Sequence, residues 1–368
     1  MSSTRIIVSG GGTGGHIFPA VAIADALRAL DPSVDILFVG AEGKMEMEKV
    51  PAAGYRIVGL PVVGLNRRVL SAKNLSAPLK LLKSVRKAAA LVGEFAPAVV
   101  VGVGGYASAP ALWAAQRRGI PTLIQEQNSY AGLTNRLLAR RARKICVAYD
   151  GMERFFPAKK IIFTGNPVRR GLRLAAHLRG EAIAHFGLSP DRKTILVLGG
   201  SLGARTINLS VLRHIDSVAA EQSVQLIWQT GESYRQLVQG RLDGGCYGSV
   251  KVASFIERMD YAYAAADVVI ARAGAGTIAE LCAARKPSIL VPSPNVAEDH
   301  QTANAMALVG KGAALLVPDA DAVQRLIPEA LRLAADEARM QEISRCIGAL
   351  ATPSAAERIA EEVMRLRK

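Results

Sequence analysis

Five glycines, a threonine and a histidine fill seven positions, Gly10-Gly11-Gly12-Thr13-Gly14-Gly15-His16, directly after the apolar run Ile6-Ile7-Val8. Residues without a Cβ leave backbone N–H groups bare and let a charged ligand approach closely. The helical pattern from Ile17 to Leu30 aims its positive dipole end at the same spot. His16 is the only titratable side chain in that loop, placed to take a proton from something bound there or to brace the loop by a hydrogen bond. A second loop, Gly199-Gly200-Ser201-Leu202-Gly203, follows the apolar run Thr194 to Leu198. A third, Arg272-Ala273-Gly274-Ala275-Gly276-Thr277-Ile278-Ala279-Glu280, follows Val268 to Ala271 and opens a helix. Small residues at a helix start suit a pyrophosphate. Glu280, one turn in, can accept both hydroxyls of a ribose or simply interact with the dipole. Two such turns in one half of the chain fit a nucleoside diphosphate. The polar cluster Glu298-Asp299-His300-Gln301-Thr302-Ala303-Asn304 follows the strand signal Leu290 to Pro294, where open α/β sheets place ligands. Asp319-Ala320-Asp321 has the look of a metal pair, but it precedes a helical pattern and reads as an N-cap, so no obligatory metal or cofactor is expected.

The elements that must carry these loops alternate. Apolar runs at 5–9, 34–39, 56–60, 98–103, 121–125 and 144–148 interleave with helical patterns at 16–30, 44–53, 71–92, 107–118 and 131–142. Further runs at 194–198, 224–229, 249–253, 267–271, 288–292 and 313–317 have helices between them. Strand–helix alternation predicts α/β architecture with parallel, doubly wound sheets. The expectation is two Rossmann-like domains facing a central cleft. An N-terminal domain spans 1–165 and a C-terminal domain 166–353, hinged near Thr164-Gly165-Asn166-Pro167-Val168-Arg169. A last helix within 354–368 could pack back across either domain.

Half of the 368 residues are hydrophobic and 5% aromatic, which suits two sheets clad by helices. Four scattered cysteines show no metal spacing, and Met1 to Ser9 does not read as an export signal; both point to a reducing cytosol. Phe95 to Gln116 is uncharged over 22 residues, but Pro97, Gly102, Gly104, Gly105 and Pro110 break it into strand, loop and helix rather than a membrane span. Of the formal net charge of +15, residues 1–165 carry +12 and residues 166–368 carry +3. The first half therefore meets something anionic. No basic–aromatic interleaving accompanies the charge, so nucleic acid is not expected. Leu75, Leu79, Leu82 and Val85 recur at helical spacing among Lys73, Lys80, Lys83, Arg86 and Lys87. Such a helix can lie in an anionic headgroup layer, or turn a leucine stripe to the core.

Taken together, Gly-Gly-Gly-Thr-Gly-Gly-His at 10–16, Gly-Gly-Tyr at 104–106, Glu-Gln-Asn at 126–128 with Ala131-Gly132-Leu133-Thr134-Asn135, Gly165-Asn166-Pro167-Val168-Arg169, Gly200-Ser201-Leu202-Gly203-Ala204 and the helix start at 272–280 resemble the MurG family. The match is ordered and spans nearly the whole chain. That family has the two-domain GT-B fold and converts lipid I to lipid II in bacterial peptidoglycan synthesis, as a peripheral enzyme on the cytoplasmic face of the inner membrane. The resemblance implies that Thr13, Gly14 and Gly15 touch the donor, UDP-GlcNAc. It implies that Gly104, Gly105, Tyr106 and Asn135 serve the acceptor, lipid I. Asn128 and Gln301 would bond the GlcNAc hydroxyls, and Arg169 and Ser201 the diphosphate. Ile256 would offer backbone groups to uracil, and Ala275, Gly276, Thr277, Ile278, Ala279 and Glu280 would hold diphosphate and ribose. Gln125, Gly276, Ala279 and His300 depart from residues seen in relatives. An inverting displacement needs a base, for which His16 comes first and Glu126 second. Rival readings are an NAD-dependent oxidoreductase (Gly10, Gly12 and Gly15 fit its fingerprint, with Glu42 near the ribose position), a non-enzymatic sugar-binding protein, and a UDP-GlcNAc 2-epimerase.

Overall fold

The structure, a computed structural model, describes residues 3–62, 77–168, 177–200, 203–296 and 299–367. It divides into two compact units, Met1–Val168 with Ser354–Lys368, and Arg169–Pro353. The sequence-based boundary at 165 thus falls three residues earlier than the division in the structure.

In the first unit seven parallel strands lie in the order β3-β2-β1-β4-β5-β6-β7. They are β1 (Arg5–Ser9), β2 (Asp35–Ala41), β3 (Arg56–Leu60), β4 (Val99–Gly102), β5 (Thr122–Glu126), β6 (Lys144–Val147) and β7 (Ile161–Phe163). Ile6, Ile7 and Val8 are fully buried, as are Val99, Val100 and Val101, because helices cover both faces of the sheet. The short strand β7 was not evident from the sequence: it is three residues long and partly exposed, and it pairs only with β6. The order reverses between β1 and β4, with Ser9 opposite Gly102, so the loops leaving these two strands emerge side by side.

The second unit repeats the pattern with six parallel strands, β10-β9-β8-β11-β12-β13. They are β8 (Lys193–Leu198), β9 (Val224–Gln229), β10 (Val250–Ala253), β11 (Val268–Ala271), β12 (Ser288–Leu290) and β13 (Leu315–Leu316). Here Leu198 lies opposite Ala271, which places the exits of β8 and β11 together.

The last helix, Ala355–Leu366, belongs to the first unit. Ile359, Ala360 and Val363 are buried there in the core built by the helix Gly14–Leu30 and the sheet. Its polar side is fastened by Arg358 Nη2 donating to the Phe163 carbonyl (2.7 Å) and by the Arg367–Asp31 ion pair (3.2 Å).

The described part of the helix Ala77–Phe95 turns Leu79 and Leu82 of the leucine stripe outward and leaves Val85 half-buried. Ala88 and Val92 are buried, whereas Leu79, Leu81 and Leu82 are 67%, 54% and 48% exposed. Arg118 Nη2 donates to the Ala89 carbonyl (3.2 Å), tying this helix to the end of the helix Ser108–Arg117, whose Trp113 is also exposed. Lys73 and Leu75 lie outside the described residues. Among the described residues no helix is long and apolar enough to cross a membrane.

Candidate active site

The loop after β1 is held by its carbonyls and by one buried acid. His16 Nδ1 lies 3.2 Å from the Gly11 carbonyl and 3.1 Å from Thr13 Oγ1. A carbonyl only accepts, so the Gly11 contact favours the tautomer with the proton on Nδ1 and the lone pair on Nε2, whereas the Thr13 hydroxyl can serve either tautomer. The loop leaving β4 packs against the same ring: a Cβ on Gly104 would come within 3.0 Å of His16 Cδ2, and one on Gly105 would collide with the Gly11 carbonyl. Both residues have positive φ, at 90° and 76°, so glycine is required there twice over. Tyr106, half-buried, lies over Gly12, 3.3 Å from where a Cβ would stand. Burial, with the nearby Glu46 carboxylate second, pushes its phenol above the usual value.

Glu46 was not singled out by the sequence reading, yet it braces this loop. The residue is fully buried; its two oxygens accept from Gly12 N (3.1 Å each), and Oε1 also accepts from Ala41 N (3.0 Å). This corrects the expectation of a uniformly bare loop: the Gly12 amide is already used. The first-turn amides of Gly14 and Gly15 have no intrahelical acceptor and remain the donors there.

Glu126 and Asn135 need the larger correction. Glu126 is 1% exposed, and its carboxylate accepts from Asn128 N (3.1 Å), Gly132 N (3.0 Å) and Asn135 Nδ2 (2.8 Å). Burial raises the pKa of this carboxyl against the opposing pull of those bonds. It anchors the loop 127–132 from beneath and does not stand where a substrate hydroxyl could reach it. Asn135, 2% exposed, is a member of the same anchor rather than an acceptor contact. Asn128 stays on the partly exposed side of this loop. Gln125, Gln127 and Asn166 form a buried amide chain beside it. In that chain Gln125 Nε2 donates to Asn166 Oδ1 (3.0 Å), Asn166 Nδ2 to Gln127 O (2.9 Å), and Gln127 Nε2 to Val103 O (2.7 Å). The chain joins the β4 and β5 exits, and Gln127 was missed because nothing in its neighbourhood marks it as buried.

In the second unit a Cβ on Gly203 (φ 80°) would collide with the Thr230 carbonyl. Gln229, also unanticipated, joins two pieces of the expected donor site: Nε2 donates to Gly200 O (3.1 Å) and Oε1 accepts from Ile256 N (3.1 Å). The Ile256 amide expected to meet a base is thus engaged within the protein. The helix Ala275–Ala284 starts after Gly274, and Ile278 N already donates to Gly274 O (2.9 Å) while its side chain is buried. Ile278 therefore drops out, and the amides of Ala275, Gly276 and Thr277 are the first-turn donors left without an intrahelical acceptor. Ala279 is partly exposed just past the first turn, and Glu280 Oε2 accepts from the hydroxyl of the buried Tyr263 (3.1 Å). Gln301 Oε1 accepts from Ser293 N (2.8 Å), a bond that does not use its Nε2 group. Arg272 is no phosphate ligand: its guanidinium donates to Val291 O (3.1 Å), Pro292 O (3.2 Å) and Thr206 Oγ1 (2.9 Å), and pairs with Asp319. Asp319 is accordingly not an N-cap, a place taken by Pro318, and Asp321 pairs with Arg325 (3.1 Å). Arg169 and Ser201 lie outside the described residues.

Comparison with known proteins gives the family. Residues 6–147 match the glycosyltransferase family 28 N-terminal domain, and residues 194–359 the family 28 C-terminal domain. A Bacteroides fragilis protein is 57% identical over 98% of this chain and 95% of its own length, and one from Parabacteroides distasonis is 56% identical over 100% and 99%. Both are named UDP-N-acetylglucosamine--N-acetylmuramyl-(pentapeptide) pyrophosphoryl-undecaprenol N-acetylglucosamine transferase. The crystal structure of Acinetobacter baumannii MurG superposes with a TM-score of 0.76 at 27% identity, covering 99% of each chain. A Neisseria meningitidis UDP-GlcNAc 2-epimerase bound to UDP-GlcNAc shares the fold, with a TM-score of 0.69 over 99% of this chain and 100% of its own, at 14% identity.

Proposed function

The chain belongs to glycosyltransferase family 28, and from that membership we propose that it transfers GlcNAc from UDP-GlcNAc to the 4-hydroxyl of MurNAc in lipid I, giving lipid II. It is an N-acetylglucosaminyltransferase of peptidoglycan synthesis with the two-domain GT-B fold. The acceptor oxygen attacks the anomeric carbon of the α-linked donor, the carbon–phosphate oxygen bond breaks, and a β-1,4 link forms with inversion. His16 Nε2 takes the hydroxyl proton, a contribution of about 10²–10⁴-fold. Charge developing on the departing diphosphate is met by the first-turn amides of Ala275, Gly276 and Thr277, and the resemblance to the family assigns Arg169 and Ser201 to the same group. Glu280 takes the ribose, the Ile256 carbonyl the uracil, and Asn128 and Gln301 the sugar hydroxyls. Thr13, Gly14 and Gly15 serve the donor, and Gly104, Gly105 and Tyr106 the acceptor pyrophosphate.

The observation that carries this reading is the Gly11 carbonyl on His16 Nδ1, which supports Nε2 as the base inside a glycine loop of a family 28 protein. Exposed Leu79, Leu81, Leu82 and Trp113 beside Lys80, Lys83, Arg86 and Lys87 support docking of the first unit on the anionic cytoplasmic leaflet, where lipid I is presented. The test supplies radiolabelled UDP-GlcNAc with and without lipid I. Label entering the lipid fraction only when lipid I is present is the expected result. Label remaining in water-soluble products, epimerised or not, overturns the reading.

A further inference from the structure

Lys193 opens β8, Asp267 precedes β11, and Pro287 precedes β12. At these amino ends of the strands, beside the helix Glu337–Ala349, the second unit holds a cavity of about 610 Å³. The glycine loops leave β8 and β11 from the opposite ends, so this is a different place from the donor site. Its volume is in the range of small-molecule pockets.

The wall is cationic. Lys193, Arg285, Lys286 and Arg345 line it, against the two acids Asp267 and Glu337. Both acids are already matched. Asp267 pairs with Arg179 (3.0 Å) and accepts from Thr194 N (2.7 Å), and Glu337 pairs with Lys193 (2.7 Å). Among the described residues no carboxylate lies within ion-pair distance of Arg285, Lys286 or Arg345.

Two placements are unfavourable for folding and favourable for a ligand. Arg285 closes the helix Ala275–Ala284 with φ at 52°, a left-handed position where glycine is usual. Its stem occupies a notch left by Gly348, where a Cβ would come within 3.0 Å of Arg285 Cγ. Lys286 follows it, mostly buried, its Nζ donating to the Ala266 carbonyl (2.7 Å). Loss of solvent lowers the pKa of that ammonium to about 8, against the pull of Asp267. Neither cationic group has a carboxylate within ion-pair distance among the described residues, and both set positive charge on one cavity wall.

We propose that this cavity binds a small polyanion carrying phosphate groups, with the guanidinium forks of Arg285 and Arg345 and the Lys286 ammonium as its ligands. The site stands independently of the transferase reading.

Lys286 supplies the readout. Near pH 8 its amine is half free, so the full-length protein is acetylated with and without millimolar pyrophosphate and the modification of each lysine is followed by peptide mass spectrometry. Potassium chloride of matched ionic strength is the control. Pyrophosphate is expected to slow Lys286 modification by about fivefold or more, by mass action, and to leave Lys251 unchanged. Arg285→Gly suits the backbone and should keep or raise the melting temperature while abolishing that protection; Arg345→Gln should weaken it. Equal Lys286 rates in pyrophosphate and chloride, or protection that survives in both variants, overturns the proposal. Because the measurement involves no glycosyl transfer, its failure is separable from failure of the transferase assignment.

Discussion

Replacing Glu46 with alanine tests whether one buried carboxylate shapes the loop that carries His16. The side chain accepts from Gly12 N and Ala41 N, and its stem fills space against Gly11 and Gly40, where a Cβ would clash with it. Stranding the fully enclosed Ala41 amide costs about 2 kcal/mol, and the half-exposed Gly12 amide, which water can partly rescue, about 1 kcal/mol. The vacated volume adds about 1 kcal/mol. A total of about 4 kcal/mol lowers the melting temperature of a unit this size by on the order of 10 °C. Calorimetry on the full chain reads that shift, and hydrogen exchange of the peptide covering 9–18 reads the loosened loop. Turnover should fall at least about tenfold as His16 loses its setting. Glu46→Gln keeps both bonds to Oε1 and should lose only about 1 kcal/mol. A Glu46→Ala protein within about 1 kcal/mol of the parent, with unchanged exchange across the loop, would show that the glycine run holds itself and refute the reasoning.

His16→Ala should cut turnover by about 10²–10⁴-fold with donor affinity nearly intact, measured by steady-state kinetics beside calorimetric UDP-GlcNAc binding; unaltered turnover removes the base assignment. Glu126, with its pKa raised in the fold, contributes stability that is present below its unfolded value and is lost as pH rises through the folded one. Denaturant titrations from pH 4 upward should therefore show a shallower decline for Glu126→Gln than for the parent, and parallel curves would count against an ionisable anchor there. Changing Leu81 and Leu82 together to serine should weaken sedimentation with anionic vesicles severalfold and spare turnover on a detergent-dispersed acceptor, and equal co-sedimentation would rule out this face as the membrane contact.

The glycine runs after apolar strands, the alternation of strand and helix and the charge bias of the first half could all be read from the chain, because each is a local signal. A run such as Ile6 to Val8 next to Gly10 forms a buried strand and an open turn wherever it is placed. The membership of family 28 follows from the same ordered motifs. Only the tertiary structure decided what those turns meet. Strand order 3-2-1-4 brings Gly104 and Gly105 onto the His16 ring across nearly ninety residues, and the equivalent reversal pairs the exits of β8 and β11. Glu46, Gln127 and Gln229 look like ordinary surface polars in the sequence, since hydrogen bonds to backbone over long separations have no period. Glu126 shows the converse: its residue type invites a catalytic role, but three donors and full enclosure make it an anchor. The amphipathic pattern of the last helix announced an apolar face but could not name its partner, and burial of Ile359 and Val363 in the first unit did. Periodicity records which side of an element is apolar; which surface covers it is decided by how the chain returns.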